Sequence, residues 1–527
     1  MARFYIENFG CRATQADGAA LERQFLERGL ERARAARDAE IVVLNTCTVT
    51  EGADKDARAS IRRLQRVNPD CRILVTGCYA QRAPEELAAL PGVTWVVGNS
   101  HKHQAAEIAT SPFPSSVSSS SSSGFVPLGQ LAKDQLSGDQ AGNVIVGDIF
   151  AHTELLAAPV FEAANERTRP NLKVQDGCDN RCSFCVIPYV RGQSRSLPMD
   201  RVIAQVRTLV EAGYREVVIS GINLGRWGRD LAVVGRRSLV VGEEEPFSAV
   251  DSGQQPKSNP ERPTTNDHRL ESLIRAILER TSLEKLRISS VEPMDWSDEL
   301  IGLVAASGRI AKHSHVPMQS GSDAVLRRMH RKYRPWHYRE KILKIRAAMP
   351  TAAIGADVMV GFPGETEAEF GETRRMIEEL PFTYLHVFTY SARPGTPAAE
   401  QPGQVPVEVA RERNRALREI GSGKKAAFMW SLTGAVVEAI TLQSGGATFT
   451  EALTDNYLKM RIPGHHAANR WMNVKVEGMN GEMLLGKPVV DRAPKSALSE
   501  PRWNVVHAAP PTKVTQECRD DKKRIDL

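Results

Sequence analysis

The chain has 527 residues, of which 41% are apolar and 25% are charged. This composition is typical of a globular protein, and it excludes collagen-like, coiled-coil and wholly disordered chains. The formal net charge of +6 is small for this length, so overall charge does not by itself indicate a polyanionic partner.

The first 110 residues alternate strand and helix patterns, which predicts an N-terminal doubly wound α/β domain. Two short β-branched segments, ending at Cys47 and Cys78, are typical of buried parallel strands. A capping box from Thr48 to Glu51 predicts the start of a helix that runs to about Val67. The Ser-rich stretch that follows, 111–143, predicts an inserted flexible linker.

We predict a central barrel domain from 144 to 420, with a polar insertion at 231–268. An edge strand at 144–149 is predicted to lead into this domain. Six strand patterns alternate with helices, for instance at 199–212, 270–279 and 367–379, which favours a partial TIM-like (β/α)6 barrel. The predicted strands are 172–175, 216–220, 285–290, 315–318, 354–360 and 385–390. In such a barrel the functional groups lie at the carboxyl ends of the strands.

The last part of the chain changes to short strands at 436–442, 457–461, 473–477 and 483–488. Gly and Asn turns separate them, which predicts a small OB-like β-barrel over 430–492. The polar residues from 493 to 527 predict a disordered tail.

Three cysteines, Cys178, Cys182 and Cys185, form a CxxxCxxC pattern directly after the first predicted barrel strand. Structural zinc sites need four protein ligands, and no fourth Cys or His follows within a dozen residues. Three thiolates suit a [4Fe–4S] cluster with one open iron, so we favour a cluster over a zinc knuckle or three unrelated buried thiols.

Three further cysteines, Cys11, Cys47 and Cys78, are predicted to converge, because the carboxyl ends of parallel strands meet at one sheet edge. They then form either a second three-thiolate site or three small core residues. Cys71 begins its strand and Cys518 lies in the tail, so neither joins this set.

Several longer strings match the pattern of one enzyme family. The cysteine loop and barrel resemble the radical S-adenosylmethionine superfamily, and the whole arrangement resembles its tRNA methylthiotransferases. The strings are NTCTVT (45–50), TGCYAQ (76–81), KVQDGCDNRCSFCVIPYVRGQSRS (173–196), SGINLG (220–225), RISSVEP (287–293), HVPMQSGSD (315–323), DVMVGFPGET (357–366) and HVFTYSARPGTPA (386–398). The first two strings are most similar to the threonylcarbamoyladenosine branch.

The resemblance implies S-adenosylmethionine and two [4Fe–4S] clusters as cofactors. Cys178, Cys182 and Cys185 would hold the catalytic radical-forming cluster, and Cys11, Cys47 and Cys78 the cluster that presents the sulfur. The implied activity adds a methylthio group to C2 of N6-threonylcarbamoyladenosine at position 37 of tRNA.

Alternatives to this reading remain open. The methylthiotransferases of isopentenyladenosine and of a ribosomal-protein aspartate are close relatives, and an iron–sulfur carrier is the non-enzyme alternative. The family usually has Asn three residues after its first cysteine, whereas this chain has Thr14.

Strand ends supply the candidate cofactor contacts, although each of these residues also fits a turn or a helix cap. They are Gly221, Asn223, Ser290, Glu292 and Gln319, with Ser320 and Asp357 as weaker candidates. The GFPGE string lacks the spacing of a phosphate loop and predicts a tight turn that caps a helix.

A basic stretch interleaved with Tyr333, Trp336 and Tyr338 predicts contact with the tRNA anticodon loop, since cations bind phosphates and aromatic rings stack on unpaired bases. A solvated helix face is the alternative. The predicted RNA-binding residues are Arg327, Arg328, Arg331, Lys332 and Arg334, together with Lys459 and Arg461 in the terminal β-barrel, which resembles a TRAM module.

The remaining expectations concern location and partners. No apolar run approaches the roughly 20 residues that span a bilayer, and no secretory signal pattern opens the chain, so we expect a cytoplasmic protein without a membrane partner. The resemblance implies a flavodoxin- or ferredoxin-like electron donor, and we expect a monomer.

Overall fold

The computed structural model describes residues 2–111, 143–151, 155, 168–231 and 268–489. The Ser-rich insertion, the 231–268 insertion and the predicted tail lie outside these ranges, except for residues at the edges of the two insertions. Within the described ranges, no helix combines the length and the apolar character needed to cross a membrane.

The first sheet has six strands, all paired in parallel, with helices on both faces. Its strands are β1 (Arg3–Asn8), β2 (Glu31–Arg32), β3 (Ile41–Thr46), β4 (Arg72–Gly77), β5 (Val93–Gly98) and β6 (Val144–Ile145). Its helices are α1 (Arg12–Glu27), α2 (Glu51–Val67), α3 (Cys78–Arg82), α4 (Pro84–Ala88) and α5 (Ala105–Thr110). The order β2-β1-β3-β4-β5-β6 confirms the predicted doubly wound class.

The side chains of β3 alternate between the two faces of the sheet, and both faces are buried. Ile41 and Val43 pack with Phe25 on one face, whereas Val42 and Leu44 join the core on the other face. A strand buried on both faces reads as a continuous apolar run, as this one does.

Two local predictions for this region were wrong. The cap of α2 is Thr50, whose side chain accepts from the Ala53 amide at 3.2 Å, and not Thr48. Thr48 is buried and accepts from the guanidinium of Arg393 at 3.0 Å. The predicted edge strand at 144–149 is only two residues long, and it lies at the edge of the first sheet, paired with β5.

Six parallel strands in chain order form the central barrel, as predicted. They are β7 (Asn171–Asp176), β9 (Glu216–Gly221), β10 (Lys285–Ile288), β11 (His313–His315), β12 (Ala353–Val360) and β13 (Tyr384–Thr389). A short strand, β8 (Arg195–Ser196), pairs antiparallel at the edge of β7. Isolated bridges, Leu286 to Ile310 and Ser290 to His315, join the β10 half to the β11 half.

The barrel helices lie between these strands and after the last one. They are α6 (Ile187–Arg191), α7 (Met199–Glu211), α8 (Leu270–Arg280), α9 (Asp298–Ala306), α10 (Asp323–Arg328), α11 (Pro335–Ala348), α12 (Glu367–Glu379) and α13 (Val407–Ser431). Helix α12 has the predicted bounds, because Thr366 and Glu369 form a capping box directly after the GFPGE turn. Two predictions missed here: β11 lies earlier than 315–318, and α13 was not predicted.

The terminal domain is a closed five-stranded barrel, as predicted. Its strands are β14 (Val436–Gly446), β15 (Phe449–Thr454), β16 (Lys459–Pro463), β17 (Trp471–Asn480) and β18 (Met483–Pro488). Strand β15 was not predicted, and β16 begins two residues later than expected.

A turn of this terminal barrel covers the amino-terminal end of the central barrel. The guanidinium of Arg287 on β10 donates to the Asp455 carbonyl at 2.8 Å, and the Tyr457 ring lies 4.7 Å from the ring of His313 on β11. The Arg12 side chain on α1 donates to the Tyr457 hydroxyl at 3.1 Å. All three parts of the chain therefore meet at this end of the barrel.

Candidate functional site

The CxxxCxxC loop begins directly after β7, at the carboxyl end of the first barrel strand. The side-chain amide of Asn223 donates to the Cys178 Sγ at 3.6 Å, and the guanidinium of Arg331 donates to the Cys182 Sγ at 3.3 Å. Burial raises the pKa of the Cys185 thiol to about 12. A thiol held in this way releases its proton when a metal binds, which suits a metal ligand better than a free nucleophile.

Gln175 on β7 connects this loop to the next strand. Its Oε1 accepts from the Asn223 backbone N–H at 2.7 Å, and its Nε2 donates to the carbonyls of Asp176 and Gly177 at 3.0 and 2.8 Å. Gly177 has φ +72°, a left-handed conformation that glycine adopts without strain. One buried amide side chain therefore positions both the start of the cysteine loop and Asn223.

Cys11, Cys47 and Cys78 follow β1, β3 and β4, three neighbouring parallel strands. The residues before Cys47 and Cys78 are paired in the β3–β4 register, so these two cysteines leave the sheet side by side. The Gly10 backbone, at φ +96°, lies so close that an added Cβ would be 2.8 Å from the Cys47 Sγ. Burial and the neighbouring Cys78 and Cys11 thiols raise the pKa of Cys47 to about 12. The three cysteines therefore lie at the same edge of the sheet, and their role as ligands of one cluster stays a prediction.

Thr14, the departure from the family pattern, lies buried on the first turn of α1. Its hydroxyl is 3.6 Å from the Cys11 Sγ, and its backbone carbonyl accepts from the Asn45 side chain at 2.7 Å. Thr14 therefore supports the Cys11 loop directly, and Asn45 on β3 links that loop to the sheet.

The two cysteine groups meet at the interface between the first sheet and the barrel. Cys78 packs against Val186 and Val190, and Val186 directly follows Cys185 in the chain. The side-chain amide of Asn99 donates both to the Cys78 Sγ at 3.6 Å and to the Val190 carbonyl at 2.7 Å. Apolar side chains and one bridging amide therefore separate the two groups.

Five buried charged side chains also cross this interface: Asp17, Lys102, Lys173, Asp176 and Arg191. Lys102 and Arg191 each lie 3.0 Å from Asp17, and Lys173 lies 2.7 Å from Asp176. Although burial opposes it, Lys102, Lys173 and Arg191 hold the pKa of Asp17 well below its usual range. Three cations face two carboxylates, and the one positive charge in excess suits an anionic group at the neighbouring cysteines.

Two of the predicted cofactor contacts, Asn223 and Gln319, carry buried polar atoms without a partner, and so do two serines that were not predicted. Within the described ranges, Asn223 Oδ1, Gln319 Oε1 and the hydroxyls of Ser220 and Ser289 are buried and accept or donate no hydrogen bond. Such atoms are costly unless a ligand satisfies them. Such atoms suit the amino, carboxylate and ribose groups of S-adenosylmethionine, and the assignment of these residues to the cofactor stays a prediction.

Other predicted contacts are engaged within the protein. Glu292 forms an ion pair with the buried Arg331, and burial raises the pKa of its carboxyl group. The Ser290 hydroxyl hydrogen-bonds to His315 Nδ1 at 2.9 Å. Ser320 is buried and bonds to the Thr373 hydroxyl at 3.1 Å, so its weaker assignment was wrong. Gly221 packs its backbone against Gln175, where a Cβ would be 2.7 Å from Oε1.

The predicted stacking of Tyr333 and Tyr338 on RNA bases was wrong. Both rings are 1% exposed, and their hydroxyls donate to the carbonyls of Met318 and Val316 at 2.7 Å each. Trp336, which is 56% exposed, lies at the surface. These two aromatic side chains therefore pack in the barrel core.

The basic stretch is also less free than its composition indicates. Arg331 is buried between Glu292 and Cys182, so its assignment to RNA was wrong. Three others are paired with carboxylates: Arg327 with Asp323 at 2.8 Å, Arg328 with Glu369 at 2.8 Å and Arg334 with Asp323 at 3.3 Å. Lys332 and Lys459 are exposed, and the Arg461 guanidinium lies 4.6 Å above the Phe449 ring.

Sequence reasoning missed Gln175, which bonds to the backbone at the start of the cysteine loop, and Lys102 and Arg191, which pair with Asp17 at the interface. Each is buried and polar, but no spacing rule distinguishes such a residue from a surface one. The signal for Arg331 was present and misread, because a run of basic residues is usually solvent-exposed.

Comparisons with known proteins agree with this geometry. Residues 3–98 match the family described as Uncharacterized protein family UPF0004, and residues 172–377 match the Radical SAM superfamily. The Threonylcarbamoyladenosine tRNA methylthiotransferase MtaB of Bacillus subtilis (strain 168) is 35% identical over 88% of this chain and 91% of its own length. The protein of the same name from Aquifex aeolicus (strain VF5) is 31% identical over 89% of this chain and 99% of its own.

A relative whose name gives a different substrate is also similar to this chain. The tRNA-2-methylthio-N(6)-dimethylallyladenosine synthase of Erythrobacter litoralis (strain HTCC2594) is 30% identical over 84% of this chain and 87% of its own length. The cofactors of this group are S-adenosylmethionine and [4Fe–4S] clusters, as the two cysteine groups predicted. The chain belongs to the radical S-adenosylmethionine tRNA methylthiotransferase family.

Proposed function

We propose that this enzyme adds a methylthio group to C2 of N6-threonylcarbamoyladenosine at position 37 of tRNA, next to the anticodon. The observation that carries the proposal is the meeting of two three-cysteine groups across one interface, where Cys78 packs against Val186 and Val190. The names of the relatives that match over most of the chain support the threonylcarbamoyl branch.

The adenine C2–H bond explains why two sites are needed. This carbon carries no acidic proton and no leaving group, so general acid–base catalysis alone cannot functionalise it. S-adenosylmethionine bound to a reduced cluster supplies a radical that can remove this hydrogen atom. The protein must then hold a sulfur source within reach of the same carbon.

The residues divide this work between the two groups. Cys178, Cys182 and Cys185 would hold the cluster that contacts S-adenosylmethionine and leave one iron open, while Asn223 and Gln319 orient the cofactor through their unpartnered oxygens. Cys11, Cys47 and Cys78 would hold the second cluster, beside which sulfur is transferred.

The protein environment suits these roles. Val186 and Val190 exclude water between the two groups, and Arg331 donates to the Cys182 sulfur, which stabilises charge on this thiolate.

The proposal extends to the partners. The exposed Lys459 and the Arg461 side chain of the terminal barrel would contact the tRNA, with Lys332 on the central barrel as a further phosphate contact. A flavodoxin- or ferredoxin-like protein would supply electrons to a monomeric enzyme in the cytoplasm.

The test is anaerobic reconstitution followed by assay on tRNA that carries N6-threonylcarbamoyladenosine. We expect two clusters per chain by iron and sulfide analysis, and a methylthiolated nucleoside by mass spectrometry. Product found only on dimethylallyladenosine, or only on a ribosomal protein, would reassign the substrate. Clusters without any cleavage of S-adenosylmethionine would indicate an iron–sulfur carrier.

A further inference from the structure

Three side chains inside the central barrel form a close group that the proposed chemistry does not use. Asp357 Oδ1 lies 3.3 Å from His315 Nε2 and 3.2 Å from His386 Nδ1, so one carboxylate oxygen lies between two imidazoles. Although burial opposes it, these imidazoles hold the pKa of Asp357 well below its usual range. Asp357 is therefore a carboxylate at neutral pH.

The group faces the barrel interior. Side chains alternate along β13, and Leu385 packs outward against Gly421 of α13, where an added Cβ would lie 3.3 Å from the Leu385 Cβ. His386, the next residue, therefore points inward together with Asp357, its partner in the β12–β13 register. The His386 side chain is nevertheless 62% exposed, so the barrel interior is open to a ligand at this level.

The group also lies in the wall that leads to the cysteine loop. His315 Nδ1 bonds to Ser290, and two residues further along the chain Glu292 pairs with Arg331, which contacts Cys182. Below the group, the Tyr384 hydroxyl bonds to His313 at 2.7 Å, and the terminal-barrel turn covers that end. A ligand beside His386 therefore lies between the end of the barrel that the terminal-barrel turn covers and the radical-forming site.

The unused atoms of the group define what it can bind. His315 Nδ1 hydrogen-bonds to Ser290, and its Nε2 is buried and faces Asp357 Oδ1 at 3.3 Å without a hydrogen bond. The His386 ring is held by Asp357 through Nδ1, and among the described residues no side chain or backbone group hydrogen-bonds to its Nε2. Because Nδ1 donates to the Asp357 carboxylate, Nε2 of the neutral ring is an acceptor. This nitrogen and the second carboxylate oxygen of Asp357 are therefore available to a ligand that carries N–H or O–H groups.

We propose that Asp357 and His386 form the subsite for the N6 substituent of the target adenine, and that they select a hydrogen-bonding substituent over an apolar one. The inference rests on the proposed function. A threonylcarbamoyl group offers urea N–H groups and a hydroxyl, which can donate to the Asp357 carboxylate and to His386 Nε2. A dimethylallyl group would desolvate both side chains and leave them unpaired, which is the costly case in recognition.

The experiment compares His386→Phe, which keeps a ring but removes Nε2, with His337→Phe as the matched control. His337 is exposed on α11, remote from this group in the barrel wall. The substrates are tRNA with N6-threonylcarbamoyladenosine and tRNA with N6-dimethylallyladenosine. For His386→Phe we expect kcat/KM on the threonylcarbamoyl substrate to fall about tenfold or more, with unchanged 5′-deoxyadenosine formation in the absence of tRNA. The control should match the wild-type protein.

A binding measurement separates recognition from chemistry. The reconstituted wild-type enzyme, without S-adenosylmethionine, should bind an anticodon stem–loop with threonylcarbamoyladenosine more tightly than the unmodified stem–loop. Asp357→Asn and His386→Phe should each reduce this preference. Wild-type kcat/KM and wild-type preference in both variants would overturn the inference. One non-iron divalent metal per wild-type chain, lost in His386→Phe, would also overturn it by showing that the three side chains hold a metal.

The two proposals fail in distinguishable ways. If the wild-type enzyme forms no methylthiolated threonylcarbamoyladenosine, the proposed function is wrong. If it forms this product and His386→Phe forms it equally well, only the subsite assignment is wrong.

Discussion

The two cysteine groups are built in opposite ways. Cys178, Cys182 and Cys185 lie on one loop after one strand, whereas Cys11, Cys47 and Cys78 follow three different strands of another sheet. The first group needs only local backbone geometry to bring its sulfurs together. The second depends on the parallel register of β1, β3 and β4, so it exists only in the folded protein.

This difference has a consequence for how each group can be damaged. A change at the contiguous loop removes ligands directly. The dispersed group can be lost through backbone or packing changes that leave all three cysteines in place.

The largest expected effect separates the two groups by their products. Cys182→Ala should abolish cleavage of S-adenosylmethionine, because the radical-forming cluster loses a ligand. Cys47→Ala should retain 5′-deoxyadenosine formation and lose the methylthiolated nucleoside. Each variant should lose about four iron atoms per chain. Retained 5′-deoxyadenosine production in Cys182→Ala would contradict the assignment, and both products can be measured in one assay by mass spectrometry.

A glycine tests whether the dispersed group depends on backbone packing. Gly10→Ala places a Cβ 2.6 Å from the Cys47 Cβ at φ +96°, so the Cys11 loop must shift. We expect about four iron atoms per chain to be lost, with the Cys178 cluster and its 5′-deoxyadenosine formation retained.

Gly29→Ala is the matched control for this change. Gly29 has φ +78°, a similar left-handed conformation, but nothing lies within 4 Å of an added Cβ. It should cost about 1–2 kcal/mol in unfolding free energy and retain all of its iron. Equal iron loss in both variants would show that backbone strain, not contact with Cys47, is responsible.

The buried charges at the interface should give a stability effect of intermediate size. Asp17→Asn leaves Lys102, Lys173 and Arg191 facing the single carboxylate of Asp176, and we expect a loss of about 3–5 kcal/mol in urea unfolding. The control is Asp38→Asn, because Asp38 is 43% exposed and its pairing with Arg37 should contribute less than about 1 kcal/mol. Similar losses in both variants would contradict the role of the network.

The same network predicts a pH dependence. The pKa of Asp17 is held below its model-compound value of 3.8, so the folded state binds its proton less readily than the unfolded state. The stabilisation is complete above this value and is lost as the pH falls through the folded-state pKa. We therefore expect the unfolding free energy to fall below about pH 4, and to fall less steeply in Asp17→Asn.

Local signals were enough for much of the fold and for one cysteine group. Helix α12 has its predicted bounds because the Thr366–Glu369 capping box is contained in the sequence itself. The convergence of Cys11, Cys47 and Cys78 followed from strand order alone, since parallel strands end at the same edge.

The remaining residues depended on tertiary context. Tyr333 and Tyr338 alternate with arginines in a pattern that suits RNA stacking and core packing equally well, and packing prevails because their hydroxyls find carbonyl acceptors. Gln175 acts across strands that are distant in sequence, so no local pattern indicates it. Arg331 lies in a basic run, and only the fold shows that it is buried beside Glu292 and Cys182. Strand β15 is half polar along its length, and only closure of the terminal barrel makes it a strand.

The smallest expected effect concerns tRNA binding. It compares an exposed cation of the predicted RNA-binding set, Lys459, with a buried one, Arg331. Lys459→Ala removes one exposed charge from the terminal barrel. The slope of log affinity against log salt concentration should therefore become less steep by about 0.9, while the iron content stays unchanged. Arg331→Ala should do the reverse, since this side chain binds Glu292 and Cys182: the salt dependence stays, and the iron at the Cys178 loop falls. If Arg331→Ala instead lowered the salt slope and kept its iron, this arginine would belong to the RNA surface after all, and the buried ion pair could not be the state that binds tRNA.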